Sequence, residues 1–313
     1  MPGSALTWTW LAFGATISVL LALDLYVHRG ARADSQKAAI AWSAVWVLAG
    51  LAFNVGVWVL LGSKAAQEYL AAYLIEKSLS VDNLFVFLII FRSLKIPHES
   101  QRTVLIWGIF GALVFRGLFI LAGLAAIERW AWVSYLFGAI LIWAAWRAFR
   151  EDPAQQTDNR ILAWLSRRLP VTTELHGHHF FAKSNGKRLA TPLLLAIAAV
   201  ELSDIMFAVD SVPAAFSVSH NRFIVLTSNA FAILGLRALY IVLAKTLSEL
   251  HYLHYGLAAV LAFAGFKIVT QKLFEIPPYI SIAIIAGIIG VSVWMSLRAD
   301  ERASRRGGRA AAV

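Results

Sequence analysis

The chain of 313 residues is 59% hydrophobic and 15% charged, with mean hydropathy +0.69. That excludes an ordinary soluble domain, in which about a quarter of residues are charged. There is no cysteine, so disulfides, thiolate metal sites and a cysteine nucleophile are excluded, and three methionines leave soft metals short of ligands. A net charge of +10 would suit nucleic acid, but the basic residues follow a membrane pattern instead.

Apolar runs of spanning length, about 20 residues each, recur along the chain. They predict an all-α polytopic membrane protein of about nine transmembrane helices. In chain order these are Trp8–Val27, Ala38–Leu61, Tyr69–Phe91, Val104–Ile127, Ala131–Ala148, Thr191–Val218, Phe223–Ala244, Tyr252–Thr270 and Ile276–Leu297. One set of alternate connections holds 20 Lys and Arg, the opposite set holds 4, and Lys77, Arg116, Arg237 and Lys267 fall within spans. The positive-inside rule then puts the N-terminus outside and the C-terminus in the cytoplasm. The first run lacks a basic leader and a small-residue cleavage site, so it reads as a retained helix.

Four regions follow. Residues 1–150 carry helices one to five, residues 151–190 a cytoplasmic loop, residues 191–297 helices six to nine, and residues 298–313 a basic tail that reads as disordered. In the loop, ILAWLSRRLP opposes apolar and basic faces and predicts a short helix in the headgroup plane. FFAKSNGKRLA centres Asn185-Gly186 between strand-like segments, a type I′ hairpin signal. His176, His178 and His179 lie close enough in HGHHF to bind a metal or sense pH, although a solvated loop is the commoner explanation.

The costly residues sit inside two spans. EKSLSVDN carries Glu76, Lys77, Asp82 and Asn83, and VELSDIMFAVDS carries Glu201, Asp204, Asp210 and Ser211. A charge at the centre of a spanning helix costs about 2.5–3.5 kcal/mol on insertion scales, so such groups mark ion paths by default. The two segments align: an acid, five residues, then Val81-Asp82-Asn83 or Val209-Asp210-Ser211. Downstream, FRGLFI with Arg116 echoes LRALYI with Arg237. Helices three and six run in opposite senses in the predicted topology, so the copies form an inverted-topology repeat, as in transporters.

On a helix, residues seven apart lie within about 20° of each other. Glu76 and Asn83 therefore share a stripe through Ser80, and Asp204 and Ser211 share another. Asp82 and Asp210 lie off those stripes and reach the same site only if spans three and six are locally broken, which Pro213 favours in span six. Clustered carboxylates with Asn and Ser oxygens suit a hard divalent cation: Mg2+, Mn2+ or Ca2+. The same carboxylates can carry protons in exchange. Arg116 and Arg237, with Lys77 and Lys267, are the candidate counter-charges for the vacant site, and Asp24 is a candidate inner gate. No phosphate loop, HExxH or GxSxG motif occurs, and the chain reads as a transporter, not an enzyme. Two alternatives use the same acids: an intramembrane aspartyl protease, for which the GxGD-like context is missing, and a membrane ion sensor that recruits partners.

AAYLIEKSLSVDNLFVF and VELSDIMFAVDSVPAAF resemble the two long motifs of the TerC family, with Ala71-Ala72 before Tyr73 where the family pattern has Gly. The likeness extends through LALDLYVHRG, FFAKSNGKRLATPLLLA and TSNAFAILGLRALYIVLA, nearly the whole chain, and is strongest toward the Alx-like branch. It implies a multi-pass protein of the bacterial inner membrane linked to Mn2+ efflux, pH response and tellurite resistance. It points to Glu76, Asp82, Asn83, Glu201, Asp204, Asp210 and Ser211 as the ion-handling set, with the bilayer, the cation and protons as partners and no nucleic acid.

Overall fold

The computed structural model describes residues 3–27, 36–130, 132–150, 164–165, 167, 172, 179–184, 187–246, 253–270, 273 and 276–310. Among them are ten helices of 11 residues or more and one hairpin. The first five helices are α1 (Gly3–Val27), α2 (Gln36–Leu61), α3 (Ser63–Ser93), α4 (His98–Arg129) and α5 (Val133–Arg150). Strands β1 (Phe181–Ser184) and β2 (Lys187–Ala190) pair antiparallel with Ser184 opposite Lys187, the hairpin expected around Asn185-Gly186. Then come α6 (Pro192–Phe216), α7 (Arg222–Ile233), α8 (Leu236–Thr246), α9 (Leu253–Thr270) and α10 (Pro278–Ala310).

The protein is a polytopic membrane protein. Among the described residues, five stretches are long and apolar enough to cross a bilayer: Gln36–Leu61, His98–Arg129, Pro192–Phe216, Arg222–Val242 and Pro278–Ser296. Shorter apolar helices cover Thr9–Leu23 and Tyr255–Thr270, and α3 is 31 residues long but carries Glu76, Lys77 and Asp82. Helix α3 starts six residues before the expected span because Gly62, at φ 89°, turns α2 into α3 in a single residue. Pro192 and Pro278 open α6 and α10, where a missing N–H costs nothing.

Three expectations fail. Helices α3 and α6 are continuous through their acidic motifs, and Pro213 is tolerated three residues before the end of α6. The break lies in the seventh span, between α7 and α8. There Leu234 is extended and Gly235 adopts φ 82°, against Trp46, whose Cδ1 would lie 2.7 Å from any added Cβ. Non-helical backbone at membrane depth is tolerated only where protein encloses it. The apolar core of Arg222–Val242 is 83% buried, against 17% for Gln36–Leu61. Lastly, the basic tail continues α10 as helix to Ala310.

Helices α3, α4, α6 and α7 pack together at the centre, with α2 and α10 also against α3. Helices α3 and α6 run antiparallel. Ser219, just past the end of α6, donates to Glu68 Oε2 near the start of α3 at 2.6 Å. At the other end, Phe87, Ile90 and Phe91 share a core with Leu193, Leu195 and Ala196. Leu165 of the loop is buried in that same core and Trp164 is exposed, while the remainder of the expected headgroup-plane helix, Arg167 apart, lies outside the described residues.

Helices α5 and α9 make the tightest crossing. A Cβ on Gly265 would lie 3.1 Å from the Gly138 carbonyl oxygen and 2.9 Å from Ile142 Cγ1. Small residues that let backbones touch drive helix association in lipid. Gly265→Leu should destabilise the protein by about 1–3 kcal/mol, the usual range for overpacking. Gly287→Leu, where a Cβ meets nothing within 4 Å, should be nearly neutral. Thermal unfolding in detergent checks this, and equal stability of the two variants would contradict the close crossing.

Candidate cation site

Three helices converge on one arginine. Arg116 of α4, 1% exposed, donates from Nη2 to Asp204 Oδ1 at 2.8 Å and from Nε to Asp204 Oδ2 at 3.1 Å. Its Nη1 is ion-paired with Glu76 Oε1 of α3. Asn83, two turns along α3 from Glu76, donates from Nδ2 to Asp204 Oδ1 at 3.2 Å. Glu76 and Asn83 thus share the stripe read from the seven-residue spacing, and Asp204 of α6 meets it.

Charge makes this cluster more than a structural pair. Glu76 and Asp204 are 1% and 2% exposed, and the two share one guanidinium. With both carboxylates ionised, the triad carries one uncompensated negative charge away from water. Burying that charge is expensive unless a proton or a cation joins it. Glu76 Oε2 and Ser80 Oγ are buried beside it without hydrogen-bond partners.

Glu201 lies one turn before Asp204 on α6. Its carboxylate rests on Gly111 of α4, where any Cβ would overlap it, and its Oε2 is buried without a partner. Gly111 thus makes room for a fourth acidic or amide group near the triad. Ser211 Oγ, two turns past Asp204 on the same face, is buried and unpartnered. Asp210 stands apart, with Oδ2 3.7 Å from Arg147 Nη2 of α5. The side chains of Asp82 and Asp24 lie outside the described part of the structure, as do His176 and His178; His179 is exposed. Among the described residues, no three His, Asp or Glu side chains are placed together as a ready metal site.

Of the candidate counter-charges, Arg116 touches the cluster. Lys77 turns the other way and donates to the carbonyls of Ala232 at 3.1 Å and Leu234 at 3.4 Å. Those are carbonyls at the broken C-terminal end of α7, where a cation also meets the negative pole of the helix dipole. Lys267 donates to Ser281 Oγ at 2.8 Å. Arg237 lines a cavity whose walls include none of the cluster residues.

Sequence reasoning missed four residues. Gly111 gave no signal beyond being a glycine in an apolar helix. Arg147 was counted with the loop charges, yet it reaches back along α5 to Asp210 and lies over the Trp143 ring at 4.9 Å. Glu68 and His220 were outside the predicted spans. They meet between the start of α3 and the connection after α6, where burial lowers the His220 pKa below 6.5, with Glu68 opposing and Lys267 adding to the shift. Asn221 next to it caps α7, its Oδ1 accepting from Phe223 N at 3.0 Å.

The profile of the integral membrane protein TerC family matches residues 61–304, and the chain belongs to that family. It is 45% identical to an uncharacterized membrane protein of Myxococcus xanthus, STKORF319, over 92% of this chain and 91% of that one. It is 40% identical to Escherichia coli K12 Alx, named for a proposed role as a membrane-bound redox modulator, over 96% of this chain and 97% of that one. It is 42% identical to the chloroplastic thylakoid membrane protein TERC of Arabidopsis thaliana, over 84% of this chain and 70% of that one. No solved structure matches.

The net charge of the triad predicts an asymmetry between variants. Arg116→Gln leaves two buried carboxylates unpaired and should cost about 3–5 kcal/mol, the range for breaking a buried pair from one side. Glu76→Gln leaves one carboxylate on one guanidinium, a neutral pair, and should cost clearly less. Thermal unfolding in detergent at neutral pH ranks the two, and a larger loss for Glu76→Gln would contradict the charge assignment.

Proposed function

We infer that the chain exports a hard divalent cation, Mn2+, from the cytoplasm in exchange for protons, in the inner membrane of a bacterium. The observation that carries this reading is the buried Glu76–Arg116–Asp204 triad with its surplus negative charge, its two acids supplied by the antiparallel helices α3 and α6. Transporters made of inverted repeats place their site where the copies meet near the midplane.

In this reading Arg116 is the stand-in for the cargo. When the cation arrives, the guanidinium withdraws. Glu76 and Asp204 then offer carboxylate oxygens and Asn83 its amide oxygen after a flip of the side chain. Ser80 Oγ is the neighbouring unpartnered donor. These oxygen donors suit Mn2+, Mg2+ and Ca2+, and the family resemblance selects Mn2+ among them. When the cation leaves, the returning arginine neutralises one acid and a proton the other, which couples export to proton entry. Glu201 against Gly111 and the outlying Asp210–Arg147 pair extend the acidic line along α6. The topology fits the same scheme, with the N-terminus outside and the C-terminus in the cytoplasm. A redox role of the kind in the name of Alx would not run through thiols here, because the chain has no cysteine.

Purified protein in liposomes loaded with a Mn2+-sensitive dye tests the reading. Wild type should carry Mn2+, faster against an opposing proton gradient. Asp204→Asn removes a charge-assisted contact of about 1.5–3 kcal/mol and should slow flux about tenfold or more. Absence of wild-type flux would end the transport reading, and Mn2+ binding without flux would replace it with an ion sensor. Flux of Ca2+ in place of Mn2+ would reassign the cargo.

A further inference from the structure

Helix α7 carries a polar side chain where its packing calls for an apolar one. Asn229 is 3% exposed, and its Nδ2 is buried without a hydrogen-bond partner. One turn to either side on the same face, Val225 and Ile233 are apolar and fully buried. An unpaired amide in such a place carries a desolvation penalty that a leucine would avoid. Polar groups kept at that expense inside a membrane mark ion paths by default.

Two packing clusters set what Asn229 faces. Val225 packs in one cluster with Ile120 and Leu124 of α4, and Ile233 packs in another with Ile109 and Ala112. Helices α4 and α7 therefore run antiparallel. Between the clusters Gly117 approaches Leu226, whose Cδ2 would lie 4.0 Å from an added Cβ. Residues four apart on a helix share a face. Arg116 is midway between Ala112 and Ile120, and Asn229 is midway between Val225 and Ile233, so the register sets the two opposite each other. Arg116 is the residue paired with Glu76 and Asp204, and α7 thus becomes the fourth helix around the triad.

Three unpartnered polar groups then gather at one depth: Glu76 Oε2 and Ser80 Oγ from α3, and the Asn229 amide from α7. Once Arg116 withdraws, Glu76 and Asp204 balance the two charges of a divalent cation. The remaining ligands need only be neutral oxygens, and an amide oxygen suits a hard cation. A flip of the Asn229 amide supplies it. Helix α7 also ends one turn further on, before the break at Leu234 and Gly235, and discontinuous helices are where transporters place ion ligands. We propose that Asn229 is a ligand of the transported cation, offering its Oδ1 from α7. The inference rests on the transport reading above and adds a residue to its site.

Mn2+ binding to the purified protein in detergent tests it, read by calorimetric titration and by loss of the electron spin resonance signal of free Mn2+. Asn229→Leu keeps the branched shape without the polar atoms and should bind Mn2+ at least about tenfold more weakly than wild type, the loss expected for one charge-assisted contact. Asn229→Asp keeps an oxygen at the position and should bind no more weakly than wild type. Wild-type affinity in Asn229→Leu overturns the inference and leaves the transport reading standing. Equal weakening in both variants assigns Asn229 to packing and also overturns it. Absence of Mn2+ binding by wild type overturns the transport reading and the inference together.

Discussion

Arg116 sits where α3, α4 and α6 meet, buried, with Glu76 on one side and Asp204 on the other. A guanidinium in that position has no water to fall back on, so its carboxylate partners must be present and correctly placed. That requirement fixes the helices around it. Glu76 and Asn83 must share a face of α3, which the seven-residue spacing ensures, and Asp204 must approach from an antiparallel α6. Gly111 must lack a side chain so that Glu201 can lie against α4. Two acids on one arginine leave the centre one charge short of neutral.

The seventh span solves a second problem. Breaking a helix inside a membrane exposes carbonyls that lipid cannot satisfy. Here Lys77 takes up the carbonyls of Ala232 and Leu234, so its ammonium is paired with backbone dipoles and not with the acids next to it in sequence. One turn of α3 thus serves two partners: Glu76 faces the arginine and Lys77 the broken helix. The repeat is unequal at this point. Val114 precedes Phe115-Arg116 in a continuous α4, whereas Gly235 precedes Leu236-Arg237 at the break. Arg237, in the first turn of α8, lines a cavity beside that helix.

The acidic motifs were legible because charges in an apolar helix stand out and helical periodicity places them. Glu76, Asn83, Asp204 and Arg116 come together as the spacing and the repeat indicated. The break was not legible. Pro213 looked like the breaker, yet α6 continues through it to Phe216, while Gly235, packed on Trp46, makes the turn. Hydropathy also hides the reach of a long side chain, so Arg147 looked like a loop residue although it folds back to Asp210. The start of α3 at Ser63 depended on the φ of Gly62, which periodicity does not encode, and Glu68 went unnoticed with it.

The most direct test of the central claim is a structure of the protein soaked with Mn2+, with anomalous scattering recorded at the manganese edge. The account predicts a peak between Glu76 and Asp204, with the Arg116 guanidinium withdrawn from both carboxylates. Bound manganese elsewhere, with Arg116 still bridging Glu76 and Asp204, would contradict it.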